Sequence, residues 1–195
     1  MKKNSVELVF ILDKSGSMHG LEADTIGGFN SVIDEQKKQD GEVLVTTVLF
    51  SNDAETVHDR VSIEKIAPMT DEDYRVGGCT ALLDAVGGTI KHIEEIHKYI
   101  RAEDVPEKTM FVITTDGLEN ASRKYKGSEV RKMVEQKKKK GWNFIFLASN
   151  IDAAEAAENL GVGRDNSAEF EPTAAGSRKM FAKACCEISD YRAKK

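Results

Sequence analysis

Hydrophobic positions along the chain fall into two rhythms. Short, nearly continuous apolar runs alternate with longer stretches in which apolar residues recur every three or four positions. Residues 6–12 (VELVFIL) form the first run, and continuous hydrophobicity predicts a strand buried on both faces, as in a parallel sheet. Ile26, Phe29, Val32 and Ile33 then mark one face of a helix ending near Asp40-Gly41. EVLVTTVLFS (42–51) and AETVHDRVSI (54–63), joined by a short polar connection, predict an antiparallel pair. Residues 80–100 carry Leu82, Leu83, Val86, Ile90, Ile93, Ile96 and Ile100 at helical spacing. Gly87-Gly88 inside this helix cost about 1 kcal/mol each relative to alanine, and are expected to let it pack closely on the sheet.

The second half continues the alternation. KTMFVITTDG (108–117) and WNFIFLASN (142–150) predict buried strands, and SAEFEP (167–172) a weak edge strand. Residues 127–141 predict a helix capped by Ser128, with Val130 and Val134 inward and lysines 137–140 as a solvated end suited to the helix dipole. DAAEAAENLG (152–161) reads as a short helix closed by Gly161, and residues 173–195 as a terminal helix. The order β-α-β-β-α-β-α-β-α-β-α predicts an α/β, doubly wound, mainly parallel sheet with one antiparallel edge strand and helices on both faces. No linker or repeat divides residues 1–195, so one domain is expected.

Composition narrows the function. A net charge of -5 offers no basic field for nucleic acid. No stretch approaches the roughly 20 apolar residues of a membrane helix, and the N-terminal run is interrupted by Glu7 and too short for a signal sequence. Cys79, Cys185 and Cys186 form no CxxC framework, which fits a reducing, cytoplasmic setting.

The chemistry concentrates where strands end. Asp13 closes the first run and Asp116 follows another, and open parallel sheets bind ligands beyond such carboxyl ends. Were those strands neighbours, the two carboxylates would repel and lift a pKa, a conflict that a divalent cation removes. Asp13, Ser15 and Ser17 stand at every second position of a turning segment, with Gly16 between the serines, so their oxygens can converge. Thr80, after the flexible Gly77-Gly78, opens the long helix and can supply another hydroxyl. Such hard oxygen donors suit Mg²⁺ or Ca²⁺ rather than zinc or copper.

DKSGSM, GGCTALLDA and TTDG, in that order, resemble the motifs of the von Willebrand factor A domain family, bacterial intracellular type, and the resemblance covers nearly the whole chain. It implies a metal-ion-dependent adhesion site made of Asp13, Ser15, Ser17, Thr80 and Asp116. The serines would bind the ion directly, the threonine and aspartates directly or through water. It implies Mg²⁺, with Mn²⁺ or Ca²⁺ as substitutes, and a protein partner that completes the shell with a Glu or Asp carboxylate. Partners such as ATPases or stress-response components, and movement of the terminal helix on ligand binding, are also what the resemblance suggests.

Other polar residues have plainer readings. Asp84, one turn after Thr80, reads as a hydrogen-bonding residue near the loop. Glu119 and Asn120 read as rim residues, either shaping partner choice or simply forming an exposed loop. His92 and His97, five apart, do not share a face as zinc-binding pairs do; His58 falls in the hairpin strand, and His19 reads as a solvated rim residue. Cys79 reads as a small buried residue and Trp142 as core. A Mg²⁺-dependent hydrolase or phosphatase is the rival class. However, Ser15 stands where a second catalytic aspartate would be needed, and neither a P-loop nor a GxSxG elbow occurs. The expectation is therefore a non-enzymatic binding module.

Overall fold

Strands β1 (Lys2–Asp13), β2 (Glu42–Phe50), β3 (Ala54–Ser62), β4 (Pro106–Thr115), β5 (Asn143–Ser149) and β6 (Ser167–Phe170) form one sheet in the order β3-β2-β1-β4-β5-β6. The structure, a computed structural model, describes residues 2–149 and 151–194. Asn150 and Lys195, expected to end a strand and the terminal helix, lie outside them. Every neighbouring pair is parallel except β2 with β3. The expected doubly wound sheet with one antiparallel edge is therefore the observed one.

Five helices cover it: α1 (Glu22–Lys37), α2 (Leu82–Tyr99), α3 (Gly127–Lys139), α4 (Ala153–Asn159) and α5 (Ala174–Ala193). Alternation along β1 explains the two layers. Leu8, Phe10 and Leu12 pack with Phe29 and Val32 of α1 and Phe181 and Ile188 of α5. Val9 and Ile11 point the other way, into Val86 and Ile90 of α2, Val130 and Val134 of α3 and Ala157 of α4. β1 runs between β2 and β4, so the chain leaves it in one direction for β2 and later returns on its other side. That reversal places the crevice of the fold at the carboxyl ends of β1 and β4.

Several local expectations change. Ser128 lies inside α3; the helix start is instead held by the Lys126 amide, which donates to Glu129 Oε2 at 2.8 Å. Lys137 is buried, paired with Glu94 and 5.0 Å from the Trp142 ring centroid, so this end of α3 is only partly solvated. Trp142 in turn stacks on Phe111 at 5.5 Å. Gly87 serves a loop rather than the sheet, because a Cβ there would come within 2.8 Å of the Tyr125 ring, whereas Gly88 meets nothing. Cys79 is exposed, because it sits in the loop before α2 rather than under it.

β1 also carries a fully buried charge. Glu7 accepts from Arg60 Nε at 2.6 Å and lies 2.5 Å from His97 Nε2, so strand β3 and helix α2 both contribute a partner. Arg60 occupies the left-handed region (φ 52°), beside the irregular pairing of β3 with β2.

Candidate metal centre

β1 delivers Asp13 at the last paired position of the strand, opposite Phe50. The chain then turns on this side chain, because Asp13 Oδ1 accepts from the Ser15 amide at 2.7 Å, an Asx turn. A single helical turn, Gly16–Met18, follows and brings Ser15 Oγ and Ser17 Oγ within 3.1 Å of each other.

Three loops are laced together at this point. The Gly16 amide donates to Gly78 O at 2.9 Å and the Gly77 amide to Lys14 O at 2.8 Å, tying the loop before α2 to the loop after β1. A Cβ on Gly16 would lie 3.2 Å from Gly78 O, so only a residue without a side chain accepts this approach comfortably. The Thr80 amide donates to Asn120 Oδ1 at 2.9 Å, and the Asn120 amide returns a bond to Thr80 O at 3.1 Å, tying in the loop after β4.

That third loop begins with Asp116, whose Oδ1 accepts from Ser17 Oγ at 2.5 Å. The next residue, Gly117, lies between two hydroxyls: a Cβ there would be 3.3 Å from both Ser17 Oγ and Thr80 Oγ1. All five residues named from the sequence motif thus meet at one place, although they come from three segments separated by up to 103 positions. Asp13, Ser15, Thr80 and Asp116 are buried, while Ser17 is exposed and opens the cluster to solvent.

The electrostatics are unbalanced. Burial pushes the Asp13 carboxyl above its ordinary value, against the opposing hydrogen bonds from Ser15 and Thr115. Burial likewise raises Asp116; Ser17 opposes this, and the nearby Asp13 charge adds to it. One atom stands out: Asp116 Oδ2 is buried and, among the described residues, accepts no hydrogen bond. A buried polar atom in that state costs about 1–3 kcal/mol. The donor set fits a hard dication, since two carboxylates and three hydroxyls converge and one carboxylate oxygen is left without a partner. Among the described residues, no group of three His, Cys, Asp or Glu side chains forms a metal site. The candidate site is therefore one of hydroxyls as much as carboxylates.

Other residues hold these five in place. Thr115 Oγ1 donates to Asp13 Oδ2 at 2.5 Å, and the buried Tyr74 hydroxyl donates to Asp13 O. Thr115 precedes Asp116 in TTDG and was visible there only as a strand residue; nothing local marked Tyr74. Asp84 accepts from the amides of Arg123, Lys124 and Tyr125, each at 2.9 Å, so it orders the loop ahead of α3. Glu119 accepts from the Leu83 amide at 2.9 Å and the Ser122 amide at 2.7 Å, so its carboxylate serves the start of α2. His19 is exposed and lies 3.1 Å from Glu22.

No protein-family model matches the chain, and no curated protein matches it. Solved structures do, and they define its class: the chain has the fold of von Willebrand factor A domains. The von Willebrand factor domain of the type V pili tip protein Mfa5 from Porphyromonas gingivalis matches with a TM-score of 0.67 at 11% identity, over 97% of each chain. The ArnB paralog VWA2 from Sulfolobus acidocaldarius matches with a TM-score of 0.61 at 16% identity, over 93% of this chain and 45% of that one. Proximal thread matrix protein 1 from the mussel byssus, with a zinc-occupied metal-ion-dependent adhesion site, matches with a TM-score of 0.60 at 14% identity. The present chain spans 46% of that matrix protein. Among the described residues no helix is long and apolar enough to cross a membrane.

Proposed function

We propose that this chain is a protein-binding module that captures an acidic side chain of its partner through a divalent cation. The cation would be held by Asp13, Ser15, Ser17, Thr80 and Asp116. The observation that carries this reading is the buried Asp116 Oδ2, which has no partner among the described residues although it belongs to a cluster of hydroxyls and a second carboxylate. Ser15 and Ser17 present two hydroxyl oxygens side by side, and Asp13 is turned into the cluster by Thr115 and the Ser15 amide. The exposed Ser17 marks the side from which a partner would approach. The bound cation would offer a coordination position to an outside carboxylate. With only two carboxylates among the five donors, its charge would not be overcompensated, which favours such an acid.

Mg²⁺ is the proposed ion, with Mn²⁺ or Ca²⁺ as substitutes, because the donors are hard oxygens. Binding rather than catalysis is the proposed activity. His19, the histidine nearest the serines in sequence, pairs with Glu22, and among the described residues neither serine hydroxyl is hydrogen-bonded to an imidazole. A cytoplasmic, bacterial setting, and an ATPase or stress-response component as partner, belong to the same proposal.

The test is capture of partners from native cells with Mg²⁺ or with EDTA, using wild type and Asp116→Asn. Partners retained only with Mg²⁺ and only by wild type support the proposal. Partners that survive chelation exclude a bridging cation, and phosphate-ester turnover lost in Asp13→Ala would favour the hydrolase reading.

A further inference from the structure

Beside the cluster lies a groove of about 540 Å³, whose apolar lining includes Leu82, Leu83, Leu118 and Leu160. It adjoins the candidate metal centre at Gly117. Gly117, which flanks the Ser17 and Thr80 hydroxyls, also lines the groove, and Leu82 and Leu83 begin the helix that Thr80 precedes. Leu118, two residues after Asp116, is 68% exposed, one of two large hydrophobic residues so exposed among the described residues. An apolar side chain held out beside a polar cluster suits contact with another molecule better than it suits water.

The far wall of the groove is charged. Asp152 and Glu155, both exposed, line it from the start of α4. Among the described residues neither takes part in an ion pair. Asp152 Oδ1 accepts from the Glu155 amide at 2.9 Å, and the nearby Arg164 guanidinium, which feels both charges, is paired with Glu158 instead. The neighbouring Glu119 carboxylate is already occupied by the Leu83, Ala121 and Ser122 amides. Beside the hydroxyls and carboxylates of the cluster, the groove therefore presents leucines together with exposed acids that form no ion pair among the described residues.

We infer that this groove selects the partner segment: an extended stretch whose acidic residue meets the metal centre, whose next contact is a bulky apolar side chain lodged against Leu118, and whose following basic residue faces Asp152 and Glu155. The inference rests on the metal-dependent reading above and adds the chemistry of the bound segment. Charge complementarity commits the occupant. A purely acidic segment would bring like charges against Asp152 and Glu155, and a purely apolar one would leave the metal centre without its acid.

A display library of short linear peptides, selected on the full chain in Mg²⁺ and eluted with EDTA, tests both levels separately. The expected winners carry Asp or Glu, then Leu, Ile, Met or Phe, then Lys or Arg. Leu118→Ser is expected to weaken a winning peptide about tenfold while its release by EDTA persists. Glu155→Lys is expected to reverse the preference at the basic position. Winners that are EDTA-dependent and acidic but show no apolar or basic preference would overturn the groove and leave the metal reading intact. Absence of any EDTA-dependent winner would overturn the metal reading and the groove with it. Self-association in sedimentation, abolished by Leu118→Ser, would make a second copy the occupant and also refute the inference.

Discussion

Asp116→Asn is expected to be more stable than wild type without metal and less stable than wild type with it. In the metal-free chain Asp116 is buried, accepts one bond from Ser17, and leaves Oδ2 unpartnered beside the Asp13 charge. An unpartnered buried polar atom costs about 1–3 kcal/mol. Asparagine keeps the acceptor for Ser17 and removes the charge, but its amide nitrogen also wants a partner, so the recovery is about 1 kcal/mol. For a chain of this size that raises the melting temperature by about 2–4 °C in EDTA. With metal the sign changes. A ligand at a hundredfold excess over its Kd stabilises the folded state by about 2.7 kcal/mol, or roughly 5–10 °C. Wild type receives this gain and the variant loses most of it. Differential scanning fluorimetry of both proteins, in EDTA and across a Mg²⁺ and Mn²⁺ titration, reads all four states. Melting curves that cross between the two conditions are expected. Equal metal gains in both proteins, or a variant less stable than wild type in EDTA, would refute the assignment of Asp116 Oδ2 as a metal-facing atom.

Other consequences can be measured directly. Arg60→Met leaves the fully buried Glu7 with His97 alone and is expected to cost about 3–5 kcal/mol in urea unfolding, whereas Glu7→Met with Arg60→Met costs far less. A paired change as damaging as the single one would show that the charge itself is needed. Gly27 and Gly28 of α1 separate cleanly. A Cβ at Gly27 meets nothing, so Gly27→Ala should stabilise by about 1 kcal/mol, while Gly28→Ala drives into the Phe181 ring of α5 and should destabilise by about 1–3 kcal/mol. Burial holds His58 below the ordinary histidine value of 6.5, and its Nδ1 has no partner. The unfolded chain therefore takes up that proton more readily. Stability from neutral His58 is complete above about pH 6.5 and is lost as the pH falls toward the lowered value. His58→Gln should flatten the wild-type fall in melting temperature between about pH 7 and 5, and parallel curves for the two proteins would count against it.

Most of the architecture was legible because it is written in near neighbours. The apolar runs of β1, β4 and β5 announce strands covered on both faces, and the threes and fours of α2 announce its buried stripe. Apart from the Ser128 cap, replaced by its neighbours Lys126 and Glu129, the expectations that changed turn on surroundings the local pattern does not show. A run of four lysines predicts a solvated Lys137; Glu94, 43 residues away, and Trp142, five residues on and folded back by the turn into β5, bury it. Its place beside an apolar helix predicts a buried Cys79; the loop that carries it is pinned outside by Asn52, whose Oδ1 accepts a hydrogen bond from its amide. Gly87 was assigned to the sheet, yet its neighbour is Tyr125, on a loop almost forty residues away.

For the candidate site the division is sharper. The sequence by itself supplied the candidate donors, the order of the three segments and the attachment of two of them to strand ends and of Thr80 to a helix start, since those depend only on residue type and local periodicity. Only the tertiary structure decided that β1 and β4 are neighbours, that Thr115 and Tyr74 steer Asp13, and that one oxygen of Asp116 is sealed off without a partner. The physical reason is that burial and hydrogen-bond satisfaction are set by whichever atoms lie within a few ångströms. Here those atoms come from residues about a hundred positions apart, a distance across which no periodicity carries information.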